Sequence, residues 1–149
     1  VNFKCYEGDF VAVVGEVGSG KSTLLKSILG EVQKVSGCSA VRGSIAYFSQ
    51  NPFIMNDSVK GNILFGRGNE KVDDDLYEIA VKSACLEHDL KLLPAGDQTE
   101  IGEKGVNLSG GQKARIAIGR AVYRNADITL LDDCLSAVDA HVGRDLMDH

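Results

Sequence analysis

Gly15-Glu16-Val17-Gly18-Ser19-Gly20-Lys21-Ser22 is the stretch that decides the reading of this chain. It follows a short apolar run, Phe10 to Val14, which reads as a buried strand. After it, Leu24, Leu25, Ile28 and Leu29 recur at helical spacing, and Gly30 supplies a stop. G-x4-G-K-S between a strand and a helix is the pattern of a phosphate cradle. Glycines permit positive φ and close backbone approach, so successive N–H groups can point at phosphate oxygens. The dipole of the following helix adds positive potential at the same place. On this reading Gly15, Glu16, Val17, Gly18, Ser19 and Gly20 line the loop. Lys21 reaches the β- and γ-phosphates, Ser22 ligates Mg2+ and Thr23 reaches the α-phosphate. The bland alternative is a glycine-rich turn with a chance lysine, and both flanking elements argue against it.

Outward from the cradle, Ser44 to Phe48 reads as a second strand and Ile128 to Leu131 as another buried one. Asp73, Asp74 and Asp75 crowd a helix start ahead of Leu76, Ile79, Ala80 and Ala84, a more ordinary role for an acidic run than metal binding. Pro94-Ala95-Gly96 breaks the chain, and a helix runs from Gly110 to about Tyr123. Alternating strands and helices predict an α/β fold with a mostly parallel sheet. The expected division is a core of residues 1–51 and 110–149 and an inserted helical subdomain of about 52–109.

Two further sites of chemistry follow. Asp132 ends an apolar strand, and ligands of open α/β sheets gather at strand carboxyl ends, so it reads as a Mg2+-side carboxylate or, more blandly, a turn aspartate. Ser109-Gly110-Gly111-Gln112 reads as a helix start in which Ser109 is the N-cap and Gln112 completes a capping box. Two glycines in a helix interior cost roughly 1 kcal/mol each, so something must justify them. Bare glycines let an anion approach the N-terminal amides. On a separate lobe this second phosphate site would serve poorly the nucleotide on the chain's own loop. A second copy of the domain, facing this one, resolves the difficulty.

The 149 residues allow at most one domain, with 25% charged and 44% hydrophobic residues as in ordinary globular chains. A net charge of −5 argues against nucleic acid as the main partner. Cys5, Cys38, Cys85 and Cys134 form no C-x-x-C pair, which argues against a metal site or disulfide framework and fits a reducing setting. No apolar run approaches the ~20 residues a membrane helix needs.

The chain resembles the nucleotide-binding domain of ATP-binding cassette (ABC) transporters. Gly15 to Ser22 matches the Walker A motif, Gln50 the Q-loop glutamine, Leu108 to Gln112 the signature and Ile128 to Asp132 the Walker B strand. Ser136-Ala137-Val138-Asp139 is similar to the D-loop, where Asp139 works across a dimer or caps a helix. Thr99 to Gly105 looks like the segment through which exporters contact their transmembrane domains. Gly43 to Gln50, Asn62 to Gly66 and Leu131 to Val142 look like the first nucleotide-binding domain of the C subfamily, the multidrug-resistance-associated class. The resemblance implies a P-loop NTPase-like fold, ATP and Mg2+ as cofactors, and Ser22, Gln50 and Asp132 as metal ligands. It also implies pairing with a second nucleotide-binding domain at the cytoplasmic face of a membrane, as part of an integral transporter.

Two departures qualify it. Asp133 stands where the general base is normally a glutamate, so its carboxylate is withdrawn by about 1.5 Å. Displacements near 1 Å cost on the order of 10²-fold in rate, which implies slow or absent hydrolysis with Asp133, Gln50 and Lys21 as the catalytic set. The intact signature would then complete the partner's site. The family's adenine-stacking aromatic and switch histidine match no residue here, so the chain is expected to be a fragment. His88, His141 and His149 read as surface residues, Arg120 as structural, and Arg115 and Arg124 as solvated. A regulatory module that holds ATP without hydrolysing it is the second reading. A soluble ABC ATPase of DNA maintenance is the third, and the absence of a long coiled-coil insertion after Gln50 counts against it.

Overall fold

A computed structural model describes residues 1–65, 71–103 and 105–134. The chain divides into two compact units, the first Val1–Val41 and the second beginning at Arg42.

The first unit holds the phosphate loop and helix α1, Lys21–Ile28. The helix ends as Gly30 dictates. Gly30 takes φ +79°, its N–H donates to Ser27 O at 3.2 Å, and Glu31 N–H donates to Lys26 O at 3.0 Å. These two bonds satisfy the last carbonyls in a Schellman motif. The expected buried strand Phe10 to Val14 is absent: the run forms no ladder, and Phe10 and Val14 are 79% and 91% exposed. The physical reason is that a strand exists only through its partners, and among the described residues none pairs with this run.

The second unit runs β1 Ile45–Phe48, β2 Asp57–Ser58, α2 Val59–Leu64, α3 Asp74–Ser83, α4 Glu87–Leu92, a 3-10 turn Gly96–Gln98, β3 Glu100–Ile101, α5 Gly110–Arg124 and β4 Ile128–Leu131. β1 and β4 pair in parallel, from Ile45 opposite Ile128 to Phe48 opposite Leu131. A parallel pair needs a long crossover, and residues 49–127 supply it. At the amino end Asp127 Oδ2 accepts both Ser44 N and Ser44 Oγ at 2.7 Å, fixing the register. Gly43 is required beside it, because a Cβ there would stand 2.8 Å from Asp127 Cβ. β4 is less buried than its sequence suggests: Leu130 is inside and Leu131 is 45% exposed, because the sheet has two strands among the described residues.

The core of this unit lies where α2 and α3 pack on α5, with Val59, Ile63, Ala80, Ile116 and Tyr123 at its centre and Phe48 joining it from β1. Asp73 caps α3 by accepting Leu76 N at 3.0 Å, so the acidic run is a helix start as its sequence indicates. Arg120 is structural. It donates to Asn62 O at 2.7 Å, Phe53 O at 2.9 Å and Asn62 Oδ1 at 3.0 Å. Asn62, fully buried, also binds Met55 N, Met55 O and Ser58 O through its side chain, so this polar knot inside the helices is saturated.

Candidate functional site

The phosphate loop has the backbone that its glycines predict. Gly18 and Gly20 take φ +82° and +94°, the region where a side chain is strained. A Cβ on Gly15 would stand 2.8 Å from Ser19 Oγ, so any larger residue there would oblige the Ser19 hydroxyl to turn away. Lys21 Nζ folds back and donates to Gly15 O and Glu16 O, both at 2.8 Å. The ammonium thus sits over the loop it belongs to, with hydrogen bonds that phosphate oxygens can replace. Ser22 and Thr23 follow in the first turn of α1, so the cradle's donors and hydroxyls come from one continuous segment.

In the second unit the parallel register brings the ends of β1 and β4 together. The ladder continues one step past β4, where Asp132 N donates to Phe48 O at 3.0 Å. Asp132 is 7% exposed and its Oδ2 accepts Tyr47 OH at 3.2 Å. Gln50 Nε2 donates to Asp133 Oδ2 at 3.2 Å, across 83 residues of sequence. Asp133 takes φ +55°, a left-handed conformation that aspartate tolerates better than most side chains. Beside it, burial first and the Asp133 charge second push the Cys134 thiol up. Among the described residues no three of His, Cys, Asp and Glu gather into a metal cage. Mg2+ in nucleotide sites takes one or two carboxylates and completes its shell with phosphates and water, so the buried aspartate and the amide at this strand end suit it chemically.

The start of α5 also matches its sequence. Ser109 Oγ accepts Gln112 N at 3.2 Å, and Gln112 Oε1 accepts Ser109 N at 3.0 Å, a complete capping box. Ser109 and Gly110 are exposed, while Ala114 to Gly119 turn into the core, apart from half-buried Arg115. A Cβ on Gly110 would meet nothing within 4 Å, so the chain's own packing does not ask for glycine there. Arg115 is not solvated as its sequence position suggests. It forms a two-pronged pair with Asp89, its Nε 2.7 Å from Asp89 Oδ2, because α4 packs its one buried carboxylate against that face of α5. Arg124 and His88 are exposed as expected.

In the stretch Thr99 to Gly105, Glu103 N donates to Asn56 Oδ1 at 2.7 Å. Thr99 and Ile101 are buried and hold it down, while Glu100 and Glu103 face solvent. Next to it opens a groove of about 600 Å³ lined by Pro52, Phe53, Met55, Gly102, Val106 and Lys113 among others. Ser136 to Asp139, Gly66, Lys104, His141, Val142 and His149 lie outside the described residues.

The ABC transporter family profile matches residues 1–136. The chain belongs to the ABC transporter family. ABC transporter C family member 8 of Dictyostelium discoideum is 54% identical over 144 residues, which cover 97% of this chain and 9% of that protein. Metal resistance protein YCF1 of Saccharomyces cerevisiae is 51% identical over 149 residues, 100% of this chain and 10% of that protein. ATP-binding cassette sub-family C member 2 of Mus musculus is 50% identical over 148 residues, 99% of this chain and 9% of that protein. The chain therefore spans about a tenth of the curated relatives it matches. It is an ABC transporter ATP-binding domain of the C-subfamily type, which carries the P-loop NTPase fold. No helix among the described residues of this ABC domain is long and apolar enough to cross a membrane.

The sequence of this ABC domain did not reveal Tyr47 and Asp89. Arg115 had a signal, since it lies three residues past Gln112 and shares its helix face. Asp89 had none, as one carboxylate in a charged helix reads as solvent-facing.

Proposed function

We propose that this domain binds MgATP and powers or gates export by pairing, in an ATP-dependent way, with a second nucleotide-binding domain. It is the first such domain of its transporter, at the cytoplasmic face of the membrane. Gly15 to Thr23 hold the phosphates. Ser22 offers Mg2+ a hydroxyl, and Asp132 and Gln50 offer a carboxylate and an amide oxygen. Asp133 orients the attacking water from too far back, so the ATP held here turns over slowly. Ser109 to Gln112 serve the ATP of the partner domain. Residues 52–109 act as a helical subdomain that carries the signature, and Thr99 to Gly105 with the neighbouring groove meet the transmembrane domains.

The observation that carries this reading is Gly110. It is exposed at the first position of α5 and has open space around its missing Cβ, so packing within the chain does not require glycine there. A residue kept bare without need from its own fold leaves room for something from outside it, and exposed amides at a helix start suit a phosphate. The Gln50–Asp133 contact supports the second reading, a module that holds ATP without hydrolysis, in that it ties one of the two oxygens of the already short Asp133 carboxylate to Gln50. Variants on the two motifs separate the sites in the full-length protein. Lys21→Met is expected to abolish nucleotide labelling of this domain, and Ser109→Arg to abolish hydrolysis at the partner's site. Loss of labelling here with Ser109→Arg refutes the two-site reading.

A further inference from the structure

The signature is braced by a carboxylate that no sequence motif contains. Asp89, on α4, is 8% exposed. Its Oδ2 accepts Arg115 Nε at 2.7 Å, and its Oδ1 accepts Arg115 Nη2 at 3.1 Å. Oδ1 also accepts Gln112 Nε2, at 3.2 Å. The other end of that amide, Oε1, is the acceptor for Ser109 N. A side-chain amide has one donor end and one acceptor end. A carboxylate on one side and an N–H on the other therefore allow one orientation only. Turned over, Gln112 would set its oxygen against Asp89 and its NH2 against the Ser109 N–H. The Asp89 charge thus selects the orientation that closes the capping box. With the box closed, Ser109 Oγ accepts Gln112 N, and the hydroxyl keeps its proton to donate elsewhere.

We propose that Asp89, steadied by Arg115 and acting through Gln112, is a positioning residue that aims Ser109 at the nucleotide of the partner domain. This rests on the reading that the signature serves the partner's ATP. Arg115 supplies the geometry: its fork holds both carboxylate oxygens in one plane, so Oδ1 cannot swing away from Gln112. A purely structural ion pair would affect how much folded protein there is. A positioning role affects the rate per folded molecule, and it depends on the polarity of the contact between positions 89 and 112.

The test uses the full-length protein in membranes. Asp89→Asn is expected to lower kcat for ATP hydrolysis on the order of tenfold, as losing an orienting partner does at metal sites. KM for ATP and photolabelling of this domain's own phosphate loop should stay within about twofold, since the loop is untouched. Gln112→Glu is expected to lower kcat similarly, because two carboxylates then oppose each other. Combining Asp89→Asn with Gln112→Glu should recover most of the rate: the introduced amide donates to the introduced carboxylate, and Ser109 N keeps an acceptor. Wild-type kcat in Asp89→Asn overturns the proposal. So does a double variant no faster than Gln112→Glu alone, a comparison that still decides if Asp89→Asn reduces the yield of folded protein. Ser109→Arg separates the two levels. If it leaves kcat unchanged, the underlying reading of the signature fails. If it abolishes hydrolysis while Asp89→Asn does not lower it, only the role of Asp89 fails.

Discussion

Gln50 Nε2 donates to Asp133 Oδ2 at 3.2 Å, at the carboxyl end of the parallel pair β1 and β4. The register makes this contact. Phe48 lies opposite Leu131, so Gln50 and Asp133 each stand two residues beyond the last pair. The Q-loop glutamine and the residue in the general-base position are therefore already in contact.

Restoring the longer acid tests the role given to Asp133. Asp133→Glu should raise ATP hydrolysis by the full-length protein, because the carboxylate gains about 1.5 Å of reach. The gain is limited by backbone strain, since φ +55° suits aspartate better than glutamate and strained residues of this kind cost of order 1 kcal/mol. Steady-state hydrolysis measures it, and an unchanged or lower rate removes Asp133 from the role of base.

The polar knot around Asn62 should matter more to stability than any surface charge. Asn62→Ala leaves half-buried Met55 N without its acceptor and removes one from Arg120, at about 2 kcal/mol. Arg120→Lys keeps a charge but loses the fork that spans Asn62 and Phe53, at about 2 kcal/mol. Exposed Arg124→Ala should stay within about 0.5 kcal/mol. The denaturant dependence of proteolysis within this domain separates the first two from the third, and equal effects of all three would contradict the assignment.

The clip at the other end of the sheet titrates. Hydrogen bonds from Ser44, first its N–H and then its hydroxyl, hold the Asp127 carboxyl below the usual carboxylate range. A folded pKa below the unfolded one means the contribution is complete above the ordinary aspartate range. It is lost as pH falls through the lowered folded value. Ser44→Ala should raise the Asp127 midpoint, since it removes one of the two Ser44 donors, and carbon NMR of the carboxyl follows it directly. An unshifted midpoint would show that the hydroxyl contributes nothing.

Local chemistry explains which parts of the molecule the sequence revealed. The cradle, the Gly30 stop, the Asp73 cap and the Ser109–Gln112 box are each determined within a few residues, and each is where its sequence puts it. Phe10 to Val14 reads as a strand because apolar runs in α/β proteins usually are, yet strand formation depends on a distant partner and the run stays exposed. Asp89 and Arg115 fail for the same reason, since their pairing joins α4 to α5 across 26 residues. Gln50 with Asp133 was legible one residue at a time, and the contact between them emerged only from the parallel register.

The most direct test of the central claim, that one chain's two phosphate motifs serve two different ATP molecules, is to count nucleotide at each site in the full-length protein carrying Ser109→Arg. The account predicts that photolabelling of this domain by an azido-ATP stays at the wild-type level while hydrolysis falls at least tenfold, as expected when a donor to the transition state is lost. Wild-type hydrolysis, or loss of labelling on this domain, would contradict it.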